Sequence, residues 1–127
     1  EYYSLSNSYT SFNSDEVDIN RSNLVYNYTL INFDKEISLR EIASVCNLTP
    51  TYFCRYFKQM TNRTYNDFLT EVRIGHACRL LLENKLTTEF IGYECGFNNA
   101  SNFFRQFRKL KGVTPLAYKN SISMPRS

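Results

Sequence analysis

Apolar residues recur along the chain at helical intervals, interrupted by short polar turns that carry helix-starting chemistry. A first helix is predicted from about residue 21 to Asn32, with Leu24, Val25, Tyr28 and Ile31 at helical spacing, and Phe33–Ile37 as the turn after it. Ser38-Leu39-Arg40-Glu41 then matches a capping box, in which the serine hydroxyl accepts from the backbone near Glu41 and the carboxylate reaches back to Ser38. Behind it, Leu39, Ile42, Ala43 and Cys46 stand at i, i+3, i+4 and i+7, one face of a short helix. Asn47-Leu48 closes that helix. Thr49-Pro50 opens the next, with Thr as N-cap and Pro at the first helical position. Two short helices joined by about three residues form a helix-turn-helix pattern. Further on, residues 65–83 read as one long helix capped by Thr64. Its apolar residues Val72, Ile74, Leu80, Leu81 and Leu82 cover more than one stripe, as expected of a connector packed on two neighbours.

The pattern repeats. Leu39, Ile42, Ala43, Cys46 and Leu48 are echoed 49 residues later by Thr88, Ile91, Gly92, Cys95 and Phe97. Phe53, Arg55, Phe57 and Met60 recur 50 residues later as Phe103, Arg105, Phe107 and Leu110, followed by Thr64 as Thr114 and Phe68 as Tyr118. The offset grows by one because the second turn, Gly96 to Asn99, is one residue longer. The expected architecture is therefore all-α. Two similar helix-turn-helix subdomains, about residues 20–64 and 84–120, are joined by the connector helix at 65–83. Residues 1–19, rich in Ser, Asn and Tyr and without a sustained period, read as a polar, disordered linker or arm ahead of a DNA-binding domain at 20–127.

Charge sharpens this reading. The net formal charge is only +3, yet residues 1–36 carry a balance of −4 and residues 37–127 one of +7. A basic domain behind an acidic segment suits a polyanionic partner. No apolar run is long enough to span a bilayer, and no secretory leader is evident. Cys46, Cys54, Cys78 and Cys95 form no C-x-x-C pair, and His76 is the sole histidine. A zinc site is therefore not expected, and the cysteines read as free thiols of a reducing compartment. With no Gly-rich phosphate loop and no nucleophile–base pairing, neither an enzyme nor a bound cofactor is indicated.

The chemistry lies on the second helix of each unit. In the first, Phe53, Phe57 and Met60 share an inward face, and Thr51, Cys54, Arg55 and Lys58 share the outward one. The second copy divides alike, with Phe103, Phe107 and Leu110 inward and Ser101, Phe104, Arg105 and Arg108 outward. A helix fits the DNA major groove, where Arg binds guanine bidentately and Ser or Thr meets either base edge. Arg55 and Arg105, mid-stripe at equivalent positions, are the leading base-contact candidates. Lys58, Arg108, Lys109 and Lys111, toward the helix ends, together with Arg40, suit phosphates. Phe104 has two open roles, contact with a thymine methyl or sugar and packing on a neighbouring helix. Ala43 and Gly92 are small where the helices of each unit cross. Because glycine costs about 1 kcal/mol inside a helix, the second unit is expected to be the less stable.

Three stretches resemble the AraC/XylS family of bacterial transcription regulators: I-S-L-R-E-I-A-S-V-C-N-L-T-P-T-Y-F-C-R-Y-F-K, V-R-I-G-H-A-C-R-L-L-L-E, and G-F-N-N-A-S-N-F-F-R-Q-F-R-K-L-K-G-V-T-P-L-A-Y. The resemblance covers about residues 22–120. It implies seven helices, with two recognition helices in successive major grooves roughly 34 Å apart. It also implies base-contacting positions at Thr51, Tyr52, Cys54 and Arg55 in the first unit, and at Ala100, Ser101, Asn102, Phe104 and Arg105 in the second. Promoter DNA and RNA polymerase follow as partners, activation of transcription as the outcome, and the bacterial cytoplasm and nucleoid as the location. A separate N-terminal domain for effector binding or dimerisation, common in the family, is expected outside this chain, with residues 1–19 as its linker. Thr88, Phe90 and Gly92 depart from the family pattern. Ala100 offers no hydrogen bond, so specificity is expected to lean on the first unit. The competing function is a protein-interaction module gripping a partner through Tyr52, Tyr56 and Phe104.

Overall fold

Polar side chains begin the helices. In the computed structural model, which describes residues 10–123, these are α1 (Thr10–Asn32), α2 (Leu39–Val45), α3 (Pro50–Thr61), α4 (Tyr65–Glu83), α5 (Thr88–Glu94), α6 (Ala100–Lys111) and α7 (Pro115–Ser123). Ser38, Thr49, Thr64, Thr87 and Asn99 each accept from a backbone N–H one turn into the following helix, and Thr114 Oγ1 accepts from Ala117 N. Each cap satisfies a donor that the helix leaves unpaired and stabilises it by about 1 kcal/mol. The expected capping box is present, with Glu41 N donating to Ser38 Oγ at 3.0 Å and Ser38 N to Glu41 Oε1 at 3.4 Å. Asn62 and Gly112, equivalent in the repeat, close α3 and α6 in the left-handed conformation.

The caps set the helices, and aromatic packing then gathers them into two cores. Val25, Ile42, Ala43, Cys46, Phe53 and Phe57 surround the first turns of α4, which supply Tyr65, Phe68 and Leu69. Ile91, Cys95, Phe97, Phe103 and Phe107 surround its later turns, which supply Ile74, Ala77 and Leu81. This explains why the apolar residues of α4 follow no single stripe: one helix serves two cores on different sides. Val25 of α1 and Ile74 of α4, also 49 residues apart, sit at equivalent depth in their cores, so the duplicated unit has three helices, α1–α3 and α4–α6. Thr29, fully buried, donates its hydroxyl to Val25 O at 2.7 Å and lies 2.7 Å from Tyr65 Oη, tying α1 to α4 with its polar group satisfied.

Several expectations need correction. Helix α1 begins at Thr10, so residues 10–19 are helical where composition assigned a disordered arm; residues 1–9 lie outside the described residues. The buried face of α1 runs through Val25 and Thr29, while Leu24 and Ile31 are 48% and 73% exposed. Leu39 faces solvent as well. Met60 and Leu110, placed inward by their spacing, are 43% and 42% exposed. Both stand in the final turn of a helix, at the rim of a core already filled by Phe57 or Phe107. Gly92, by contrast, stands at the close helix crossing expected of it, since a Cβ there would lie 2.7 Å from Phe103 Cδ2. The missing side chain is what lets α6 approach so closely.

Candidate nucleic-acid interface

Packing splits α3 and α6 lengthwise. Phe53, Phe57, Phe103 and Phe107 are at most 2% exposed, which turns the opposite side of each helix to solvent. Thr51, Tyr52, Cys54 and Arg55 are all exposed there, as are Ser101 and Arg105, whereas Ala100, Asn102 and Phe104 are half-buried. The Phe104 ring lies 5.7 Å from that of Phe103 and packs on the second core. Of its two open roles, packing is therefore the one the fold uses, and it is among the least accessible members of the stripe. Arg105 Nη2 donates to Asn102 Oδ1 at 2.7 Å, holding the guanidinium along the axis of α6.

The electrostatics are one-sided. Neither α3 nor α6 contains Asp or Glu, yet between them they carry Arg55, Lys58, Arg105, Arg108, Lys109 and Lys111, all exposed. The ion pairs among the described residues are Lys35–Asp34 and Arg63–Glu71, so none of these six cations is neutralised by a carboxylate. Arg40, also exposed, sits in the first turn of α2. Unneutralised like charges repel one another, and a polyanion removes that cost.

A groove of about 300 Å³ separates α1 from α3 and is lined by Asp18, Arg21, Leu48, Tyr52, Arg55, Tyr56 and Gln59. Tyr56 Oη donates to Asp18 O at 2.9 Å and lies 3.1 Å from Ser22 Oγ, so α1 is clamped against α3. Arg21 and Gln59 thus border the exposed face of α3 although their sequence positions did not suggest it. Gln59 was readable in principle, since it follows Tyr52 and Arg55 on one helical stripe, whereas Arg21 belongs to a helix distant in sequence.

Most of the other reactive groups are buried or half-buried. His76 packs its ring 4.6 Å from that of Phe33 and lies 2.8 Å from Arg79 Nη2, with burial and the neighbouring Arg79 cation lowering its proton affinity. All four cysteines are free; burial pushes the Cys95 thiol up to about 12 and raises that of Cys46, while Cys54 lies exposed on α3. Among the described residues no cluster of His, Cys, Asp or Glu suited to a metal ion occurs, and no helix is long and apolar enough to cross a membrane.

A helix-turn-helix domain family matches residues 42–121. The HTH-type transcriptional regulator YdeC of Bacillus subtilis, itself uncharacterized, is 30% identical over 110 residues, which make up 87% of this chain and 38% of that protein. The chain thus spans well under two-thirds of the length of such relatives. In structure it is similar to an AraC-type transcriptional regulator from Chromobacterium violaceum, with a TM-score of 0.76 at 22% identity, covering 84% of this chain and 95% of that one. It is also similar to the DNA-binding domain of AdpA, a global transcriptional factor solved in complex with a target DNA. That match has a TM-score of 0.72 at 23% identity, over 76% of this chain and 87% of that one. Both structural likenesses are of fold. With its duplicated units, its paired cationic faces and these matches, the chain belongs to the AraC-type helix-turn-helix family of transcription regulators.

Proposed function

We propose that this chain binds double-stranded DNA sequence-specifically, with α3 and α6 lying in successive major grooves, and thereby regulates transcription. The observation that carries the reading is the pair of equivalent helices that contain no carboxylate and expose six cations, none of them in an ion pair among the described residues. Arg55 and Arg105 are assigned to base edges, with Thr51, Tyr52, Cys54, Ser101 and Asn102 beside them. Arg40, Lys58, Arg108, Lys109 and Lys111 are assigned to phosphates, and Arg21 and Gln59 join them from the groove beside α3. Ala100 and Phe104 complete the second face as apolar contacts, Phe104 only through the part of its ring left outside the core. The chain acts by binding rather than by catalysis. Activation through RNA polymerase, a location in the cytoplasm, and an effector or dimerisation domain elsewhere in a longer protein belong to the same proposal.

Selection from random DNA duplexes at physiological salt, with nonspecific competitor, tests it. Recovery of two short sequence blocks one helical turn apart is expected. Absence of any salt-sensitive retention of DNA would refute the reading.

A further inference from the structure

The two units share α4, but a single helix leaves each free to roll or bend about the helix axis. A second attachment, away from that axis, is needed to hold two recognition helices at one spacing. Arg73 supplies it. It sits on α4 between Leu69, which belongs to the first core, and Ile74, which belongs to the second. Its Nε donates to Phe33 O and its Nη2 to Lys35 O, both at 2.8 Å, gripping the turn that follows α1. The same guanidinium stands 5.8 Å from the centroid of the Phe97 ring in the turn between α5 and α6. Gly96, at φ +100°, brings that turn so close that a Cβ would lie 2.5 Å from Phe33 O and 2.8 Å from Arg73 Nε. Backbone of the second unit therefore rests directly on backbone of the first, with Arg73 wedged between them. The contact lies just ahead of Asn99, which caps α6, and so acts at the root of the second recognition helix.

We infer that Arg73 is a positioning residue for DNA reading: by locking the α1–α2 turn to the α5–α6 turn it fixes the offset between α3 and α6, and hence the half-site spacing the protein accepts. The inference rests on the DNA-reading proposal above. Charge-assisted hydrogen bonds to two carbonyls that no helix satisfies, made by one half-buried guanidinium, are roughly twice as strong as neutral ones. Arg73 itself touches no base or phosphate in this assignment. The spacing constraint is severe, because one added base pair shifts a half-site by about 3.4 Å and rotates it by about 35°.

The test compares the wild type with Arg73→Met, which keeps the apolar stem and deletes the donors, and with Arg73→Lys, which restores part of them. The probes are the duplex that the wild type selects from a random pool and two derivatives with one base pair added or removed between its blocks. Wild type is expected to lose roughly tenfold in affinity on either spacing change, about 1.4 kcal/mol. Arg73→Met is expected to bind the selected duplex more weakly and to discriminate between spacings by less than about threefold, with Arg73→Lys intermediate. A variant that melts earlier but keeps the wild-type ratio between spacings would show a merely structural role and overturn the inference. Amide exchange in the DNA-free protein provides an independent check. Faster exchange confined to residues 33–37 and 96–99 supports the lock, and unchanged protection there refutes it. Should the wild type retain no duplex at all, the DNA-reading proposal falls on that result, and the inferred role in spacing falls with it even if exchange shows the turns to be tied.

Discussion

Two helix-interior glycines, Gly75 in α4 and Gly92 in α5, are indistinguishable by propensity and opposite in environment. Replacing either with alanine recovers about 0.5–1 kcal/mol of backbone entropy and helix propensity. Around Gly75 no heavy atom beyond its chain neighbours and its own helix backbone lies within 4 Å of the added Cβ, so the full gain is expected. At Gly92 the added Cβ meets Phe103 Cδ2 at 2.7 Å, Cγ at 2.8 Å and Cβ at 3.0 Å. These atoms include the root of the ring rather than its far end, and no rotation of a flexible tip relieves the overlap. Phe103 is itself fully buried, with the rings of Phe97, Phe104 and Phe107 between 5.2 and 5.8 Å away, so it moves only by disturbing them. Overpacking of this kind costs about 1–3 kcal/mol. Set against the propensity gain, Gly92→Ala is expected to lie between neutral and about 2.5 kcal/mol destabilising. Thermal unfolding followed by circular dichroism, with urea midpoints alongside, reads both variants. At about 4 °C per kcal/mol, Gly75→Ala raises Tm by a few degrees while Gly92→Ala leaves it unchanged or lowers it. Equal stabilisation by both substitutions would refute the argument, since Phe103 would then be yielding at no cost.

The remaining predictions concern the reading face and its supports. Arg55→Ala should weaken binding to the selected duplex by about 1–3 kcal/mol and relax one base position, measured by repeating the selection; unchanged preference would remove Arg55 from the base contacts. Lys58→Ala and Arg108→Ala should weaken binding to all duplexes alike and reduce the slope of log affinity against log salt by about one each. Iodoacetamide at pH 8 should alkylate Cys54 and spare Cys46 and Cys95 in the folded protein, as mass spectrometry of peptides shows. Burial raises both spared thiols, that of Cys95 to about 12, and so keeps them protonated and shielded at this pH. The same alkylation should impair DNA binding, because Cys54 lies on the outward face of α3. Thr49→Ala should cost about 1 kcal/mol of stability by leaving Tyr52 N without the Thr49 Oγ1 acceptor, and Thr49→Ser should restore most of it.

Much of the molecule was legible because its signals are local. Ser38, Thr49 and Thr64 announce helix starts through hydrogen bonds that span three residues, and the structure makes those bonds. The repeat aligns Phe53 with Phe103 and Arg55 with Arg105, so each copy supports the reading of the other. The long helix at 65–83 was readable from its cap and its doubled apolar face, because one helix touching two cores must be apolar on two sides. What periodicity cannot report is where a neighbouring element ends. Met60 and Leu110 fall on the apolar arc of their helices yet lie open, and Thr29, polar by composition, is fully buried because Tyr65 waits 36 residues away. Polar composition likewise hid the helix over residues 10–19, and the Tyr56 hydroxyl that holds α1 at Asp18 comes much later in the chain.

The amino-acid sequence by itself determined the two helix-turn-helix units, their duplication, the long connector helix and the cationic stripes, all of which follow from turn chemistry and the helical period, while the count of seven helices came with the family resemblance. Only tertiary structure decided that Gly92 makes room for a ring, that Phe104 is drawn into its own core, and that Arg73 joins two turns more than 60 residues apart around a glycine with no space for a methyl. Those outcomes depend on which atoms arrive from elsewhere and how closely, and no residue's neighbours in sequence carry that information.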